Sequence, residues 1–221
     1  MAVILVLCTF LVFIVIDTIL SRRKASLPVA VRAEQAPAEP AESFVEGFLV
    51  PSQLRYHPGH SWLLRERKNV MRVGVDEFAA ALLGQVEKLE LPKPGHWVRQ
   101  GQRALGFLRG DQKAEMVSPI EGEVVEVNPD VLNDPSLLRK DPYGKGWLMT
   151  VFVPDEESTG RNLLPTNLVR GWMREAVERL YGMQPEMAGA VAADGGRPAD
   201  DLSVAIPGKS WSELTGEFFL T

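Results

Sequence analysis

The sequence predicts a mainly β domain that contains one small helix, follows an apolar segment and precedes a helical tail. Short alternating or apolar runs, separated by Gly, Pro and charged residues, fill the stretch between residues 61 and 127. Residues 2–20 are almost wholly apolar, and the apolar positions between residues 161 and 182 recur near helical spacing. The first pattern is typical of β-strands and the last of an amphipathic helix.

The composition excludes several classes of function. The 221 residues are 45% hydrophobic, enough for a packed core, and carry a net charge of −5 with a pI near 5.4. Nucleic-acid binding asks for a basic face, so no nucleic-acid partner is expected. The one cysteine, Cys8, lies in the apolar segment, which leaves no disulfide framework, thiolate zinc site or cysteine nucleophile for the rest of the chain. We therefore expect no enzymatic activity, no catalytic residues and no metal.

The N-terminus predicts a transmembrane anchor over residues 1–24. Residues 2–20 hold only one aspartate and two threonines among apolar side chains. About 19 helical residues at about 1.5 Å each nearly cross a hydrocarbon core of roughly 30 Å. A cleaved signal peptide is the alternative, but no basic residue precedes the run and no small-residue cleavage pattern follows it. The basic residues at 22–24 predict a single-pass protein of the inner (plasma) membrane with its soluble domain in the cytoplasm.

Composition also sets the remaining boundaries. Residues 25–43 are rich in Ala, Pro and Glu and lack an apolar period, so they predict a disordered linker. The folded domain is expected over residues 44–155 and a helical C-terminal tail over residues 156–221. In that tail, one helix is predicted from about residue 161 to residue 182, and Ser210 with Glu213 fits a capping box that starts a short last helix.

The central domain shows strand signals in a regular order. Residues 61–65 and 70–75 predict a hairpin, residues 76–84 a small helix with Asp76 as its N-cap, and residues 85–91 a further strand. Two similar halves follow, in which Pro and Gly turns lead into strands ending at residues 108 and 127. Joined by a hairpin at residues 109–113, they predict a flattened barrel of short strands. Any other small β-sandwich or barrel remains the alternative on periodicity alone.

Ordered motifs across the middle of the chain resemble the glycine cleavage system H proteins. They are YHPGHSWL at 56–63, VGVDEFA at 73–79, LELPKPG at 89–95, SPIEGEVVEVN at 118–128, NDP at 133–135 and DPYGKGWL at 141–148. The resemblance covers residues 54–155 and identifies the chain as a divergent, membrane-anchored relative. It implies a lipoyl-type barrel, or barrel-sandwich hybrid, whose hairpin lysine carries lipoamide. That arm accepts an aminomethyl group from a decarboxylase, passes it to a tetrahydrofolate-dependent partner and is reoxidised by a dehydrogenase, so the cofactor supplies the chemistry.

The lysine position departs from the family pattern. The segment between Gly101 and Gly122 has the family length, and without a gap the lipoyl lysine falls on Asp111. Lys113 comes two positions later, and the turn pair Gly110-Asp111 favours a hairpin tip at the ungapped place. We therefore expect a non-lipoylated, membrane-tethered binding or scaffold module without a cofactor. The alternative is a lipoyl carrier that shuttles an aminomethyl or acyl group on Lys113. Either one implies protein partners, including enzymes that recognise lipoyl domains.

Other candidate residues have simpler structural interpretations. His57 and His60 are spaced like a metal pair but lack a third ligand nearby in sequence, so packing is expected. His96 precedes Trp97 in a turn and is expected to be exposed. Asp76 and Glu77 fit helix N-terminal charges better than an acid–base pair. Among the aromatic residues of the tail, Trp172 and Tyr181 are expected to pack on the barrel. For Phe218 and Phe219, a partner-binding face and internal packing are equally open alternatives.

Overall fold

A computed structural model describes residues 43–183, 201–202 and 209–220. The predicted anchor and all of the predicted linker except Ser43 lie outside these residues. Within the described ranges no helix has the length and apolar character needed to cross a membrane. The anchor, the linker and their cellular location therefore stay predictions.

The described chain forms eleven strands and six helices. The strands are β1 (Phe44–Val45), β2 (Phe48–Leu49), β3 (Arg55–His57), β4 (Ser61–Arg67), β5 (Val70–Val75), β6 (Lys88–Glu90), β7 (Trp97–Val98), β8 (Arg103–Arg109), β9 (Gln112–Val117), β10 (Gly122–Val127) and β11 (Met149–Phe152). The helices are α1 (Glu77–Leu83), α2 (Pro129–Asn133), α3 (Leu137–Lys140), α4 (Glu156–Arg161), α5 (Val169–Gly182) and α6 (Trp211–Phe219).

All strand pairs are antiparallel, and they form two main sheets around one core. The larger sheet has the order β3-β4-β5-β11-β10-β7, the smaller one β6-β8-β9, and β1 pairs with β2 separately. Val73 and Val151 from the larger sheet and Phe107 and Met116 from the smaller one lie in the same buried cluster. The mainly β prediction is confirmed, and the expected flattened barrel takes the form of these two sheets.

The β4–β5 hairpin and helix α1 were both predicted from local signals and are both present. The Asp76 carboxylate accepts a hydrogen bond from the backbone N–H of Ala79 and so caps α1. Gly84 ends the helix with φ 63°, in the left-handed region that favours glycine. The capping box of Ser210 and Glu213 at the start of α6 is present as well.

Two predicted elements are shorter than expected, and one predicted strand is preceded by an additional short strand. The strand expected to end at residue 108 is present as β8, which pairs with β6 and β9, whereas the two-residue strand β7 before it was not predicted and pairs with β10 in the larger sheet. The helix expected from residue 161 begins only at Val169, because Pro165 lacks an N–H and disfavours helical backbone before it. The strand expected over residues 85–91 is limited to β6.

The C-terminal helices complete the same hydrophobic core. Met173 and Val177 of α5 and Trp211 and Phe219 of α6 are buried in the cluster that the strands form. Phe218 is buried too, so Phe218 and Phe219 pack internally and do not form a partner-binding face. The packing of Trp172 is confirmed by its stacking on the ring of His60. The division of the chain at residue 155 stays a prediction.

Candidate functional site

The β8–β9 hairpin ends in a two-residue turn. Arg109 pairs with Gln112, which leaves Gly110 and Asp111 at the tip, and Gly110 has φ 55°. A glycine with positive φ at the first central position is the requirement of a type II′ hairpin turn. The ungapped position of the family lysine, Asp111, therefore lies at the tip.

Lys113 lies on the returning strand rather than in the turn. It pairs with Leu108, and its Nζ lies 3.0 Å from Glu90 Oε2 and 3.2 Å from Glu115 Oε1. Its side chain crosses β8 above Gly106, where an added Cβ would stand 3.1 Å from Lys113 Cε. The hydrogen bond to Glu90 and then that to Glu115 raise the pKa of Lys113 above its ordinary value. The ammonium group is thus half-exposed, charged and held by two carboxylates.

Helix α6 and Asp201 lie against this hairpin. Arg109 forms an ion pair with Asp201, with 3.3 Å between Nη1 and Oδ2, and its guanidinium lies 6.0 Å from the centre of the Trp211 ring. Beside the contact of α6 with β9 lies a groove of about 770 Å³, lined by Lys113 and Glu115 from the strand and by Glu213 and Glu217 from the helix. One flank of the hairpin therefore contacts the protein's own C-terminal segment.

A buried histidine–aspartate pair forms a second polar cluster. His60 Nδ1 lies 2.9 Å from Asp76 Oδ2, and both side chains are almost inaccessible to solvent. The His60 ring is stacked between Phe78 and Trp172, with centroid distances of 4.5 and 4.4 Å. A carboxylate accepts hydrogen bonds only, so Nδ1 carries the proton. The expectation that His60 packs is confirmed, but an acidic partner does lie beside it.

The sequence interpretation missed this pair because the two residues are sixteen positions apart. The signal was available in the β4–β5 hairpin, in which Ser61 pairs with Val75. His60 precedes Ser61 and Asp76 follows Val75, so this register brings His60 and Asp76 opposite each other. The Asp76 N–H donates a hydrogen bond to the His60 carbonyl at 3.1 Å. A predicted hairpin without a register does not identify such neighbours.

His57 does not join His60 on a common ligand. Its Nδ1 accepts a hydrogen bond from the N–H of Gly59, and burial, followed by the nearby His60, lowers the pKa of His57 to about 4. Within the described ranges no group of three or more His, Cys, Asp or Glu side chains is arranged to hold a metal ion. His96 is exposed as predicted.

Asp76 and Glu77 point to different partners and do not form a carboxylate pair. Glu77 accepts a hydrogen bond from the N–H of Leu49, while its own N–H donates to the Tyr143 hydroxyl at 3.0 Å. That hydroxyl donates in turn to the Leu49 carbonyl. Burial, and the charge of Asp76 after it, raises the pKa of Tyr143 well above its ordinary value, so the phenol stays protonated. These hydrogen bonds connect β2 to the first residue of α1.

Comparisons with known proteins point to one family. The model of the family described as "Glycine cleavage H-protein" matches residues 54–175. A glycine cleavage system H protein of Streptomyces coelicolor is 41% identical over 106 residues, 48% of this chain and 85% of the relative. One from Mycobacterium leprae is 36% identical over 126 residues, 55% of this chain and 95% of the relative. A crystal structure of a glycine cleavage system H protein from Mycobacterium marinum aligns with 27% identity and a TM-score of 0.48, covering 55% of this chain and 97% of that one.

Proposed function

Because the chain belongs to the glycine cleavage H-protein family, we propose that its domain is a non-enzymatic module that works through the β8–β9 hairpin. The resemblance assigns the cofactor arm of the family to this hairpin, so the residues at its tip decide between two functions. The observation that carries the proposal is the tip itself, which holds Gly110 and Asp111 while Lys113 lies on β9.

The first candidate is a protein-binding or scaffold module that carries no lipoyl group. An attachment lysine has to present a free amine at an accessible tip, but Lys113 is engaged by Glu90 and Glu115. Arg109, the residue before the tip, is fixed by Asp201 and lies close to Trp211. Both contacts support a hairpin that the protein uses as a rigid surface.

The second candidate is a lipoyl carrier with lipoamide on Lys113. Membership of the family supports this candidate more directly than the first, because the relatives at 41% and 36% identity are named glycine cleavage system H proteins. Lys113 is the second residue of β9 and remains about half-exposed, so its amine lies near the tip. A shift of the two carboxylates would release it for acylation.

The experiment that separates the candidates is the intact mass of the protein from its native host, with peptide mapping across residues 109–119. A known lipoylated protein of the same cells serves as the control for a working lipoylation system. An unmodified peptide beside a modified control supports the scaffold module. A lipoyl adduct on Lys113 overturns it and establishes the carrier. An adduct on any other lysine contradicts both candidates.

We infer that the partners are proteins that recognise lipoyl-type domains through this hairpin. A photo-reactive amino acid in place of Asp111 should cross-link such a partner, whereas the same group in place of the exposed Lys145 should not. The cross-linking is carried out with the full chain and a purified decarboxylase or dehydrogenase of the glycine cleavage type. Equal cross-linking from both positions would contradict a specific role for the hairpin.

The proposed location is the cytoplasmic face of the inner membrane, through an anchor at residues 1–24. The support is the apolar run at residues 2–20 and the basic cluster that follows it. The full chain should stay in the membrane fraction at alkaline pH, and a variant lacking residues 2–20 should not. Digestion of the domain by protease added outside spheroplasts would contradict the cytoplasmic orientation.

A further inference from the structure

A small cavity opens beside the buried His60, between helices α5 and α6. Its volume is about 170 Å³, and its walls include Trp172 and Ala176 from α5 and Phe218 from α6. A cavity of roughly 150 Å³ is large enough for a benzene-sized molecule. The cavity therefore has the size and the aromatic walls for a single small ring.

One polar atom of the cavity wall is left for a ligand. The two faces of the His60 ring are covered by Phe78 and Trp172, and the Nδ1 edge is taken by Asp76. The remaining edge carries Nε2, which forms no hydrogen bond with any residue in the described part of the chain. In the same described residues, the side-chain atoms that are fully buried and lack a hydrogen-bond partner are Ser61 Oγ, Arg72 Nε and Tyr181 OH. Nε2 is not one of them, so it keeps some accessible surface. Since His60 is one of the residues that line the cavity, we take Nε2 as the atom that it offers to a ligand there.

The ionic groups at the mouth of the cavity already have partners. Arg179 Nη2 lies 3.8 Å from Glu175 Oε1, and Glu217 Oε2 lies 2.8 Å from Lys209 Nζ. The Arg179 guanidinium also lies 5.9 Å from the centre of the Phe218 ring. A charged ligand would have to break these contacts, whereas a neutral ligand leaves them intact.

The preference for a hydroxyl group follows from the chemistry of imidazole. With Nδ1 protonated toward Asp76, Nε2 of a neutral ring accepts a hydrogen bond, and Nε2 of a charged ring donates one. A hydroxyl group serves either state, because it both donates and accepts. A hydrocarbon ring of the same size would fill the cavity but leave Nε2 unpaired, which costs binding energy.

From these contacts we propose that the cavity is a binding site for a small neutral ring compound bearing a hydroxyl group, which hydrogen-bonds His60 Nε2 and stacks among Trp172 and Phe218. The site is separate from the hairpin and does not depend on whether Lys113 is modified. A ligand there touches α5 and α6 together. It would therefore strengthen the docking of α6, since a ligand that binds the docked state alone stabilises that state.

The test uses phenol as the probe and benzene as its hydroxyl-free control. The full chain, labelled with ¹⁵N-histidine and held in lipid nanodiscs, is titrated while imidazole nitrogens are followed by NMR. His57→Asn and His96→Asn assign the His60 signal, and dialysis fixes the free probe concentration. Phenol should shift His60 Nε2 saturably, leave His96 unchanged and slow hydrogen exchange of the amides in α6. Benzene should shift Nε2 less.

Variants at the cavity wall show whether the probe occupies this site. Ala176→Leu fills the cavity from α5 and should weaken phenol binding by roughly tenfold or more. The control Glu178→Gln, at an exposed position of the same helix that does not line the cavity, should leave phenol binding unchanged. If Ala176→Leu unfolds the protein, the hydrogen-exchange effect in the unsubstituted chain decides the matter. An unmoved His60 signal would mean that the cavity holds water only and would overturn the proposal. The proposal would also be overturned if benzene shifted the His60 Nε2 signal as much as phenol does. An equal phenol shift in Ala176→Leu and in the unsubstituted chain would overturn it as well.

Discussion

His60 and Asp76 close the end of the β4–β5 hairpin through a buried contact of 2.9 Å between Nδ1 and Oδ2. Asp76 performs two tasks there, because its other oxygen caps α1 through the N–H of Ala79. The packing of His60 between two aromatic rings therefore depends on a helix cap that belongs to the next element of the chain.

Replacing Asp76 should be among the most damaging single changes in the domain. Asp76→Ala removes one partner of a buried pair together with a helix cap, and we expect it to lower the free energy of unfolding by about 3–5 kcal/mol. The matched control is Asp155→Ala, which removes only the exposed cap of α4 and should cost about 1 kcal/mol. Denaturant unfolding followed by tryptophan fluorescence measures both. Similar costs for the two variants would show that the buried pair adds nothing.

His57 should make the stability depend on pH. Its pKa is about 4 in the folded protein and 6.5 ordinarily, so between these values the unfolded chain binds more protons than the folded one. Stability therefore falls as the pH drops from 6.5 to 4, by about 3 kcal/mol at most from this residue. His57→Asn keeps an acceptor for the Gly59 N–H and should flatten that slope, whereas the exposed control His96→Asn should retain it. Denaturant midpoints measured across this range test the assignment.

A lysine introduced at the hairpin tip should make the protein a substrate for lipoylation, as the family resemblance implies. Asp111→Lys places an amine in the turn, beyond the reach of the contacts that hold Lys113. We expect a lipoate ligase to modify this variant, and to modify it equally when Lys113→Arg is added. The unsubstituted chain should stay unmodified in the same assay, as measured by peptide mass. Modification that requires Lys113 would favour the carrier function instead.

Two glycine substitutions should have opposite effects on stability. An added Cβ at Gly74 would lie 2.3 Å from Cζ2 of the buried Trp62, so Gly74→Ala should destabilise by about 1–3 kcal/mol or more. Gly171 lies within α5 and has nothing within 4 Å of an added Cβ. Gly171→Ala should therefore stabilise by about 0.5–1 kcal/mol. Thermal melts of the two variants provide the comparison, and a stabilised Gly74→Ala would contradict the close packing.

Local signals were sufficient for the parts of the fold that local chemistry determines. The cap of α1, the capping box of α6 and the Gly110-Asp111 turn each depend on residues within a few positions of one another, and all three are present. The hairpin predicted at residues 109–113 is likewise present, with Arg109 and Gln112 as its last pair.

The remaining features depend on contacts between distant segments. Periodicity did not predict the two-residue strand β7, which exists only through its pairing with β10, far along the chain. Nor did it show that α6 would bury Phe218 and Phe219, or that His60 would meet Asp76. The late start of α5 was locally visible in Pro165, but the apolar spacing before it outweighed that signal in the prediction.

Helix α6 has a consequence for the behaviour of the protein at high concentration. In the three-stranded sheet β9 is an outer strand, and an uncovered outer strand offers its backbone groups to strands of other molecules. Because α6 packs beside β9, the C-terminal helix shields that strand from edge-to-edge association. Removal of the last residues by proteolysis would then expose β9. Molecules that lack α6 would pair through this strand and aggregate.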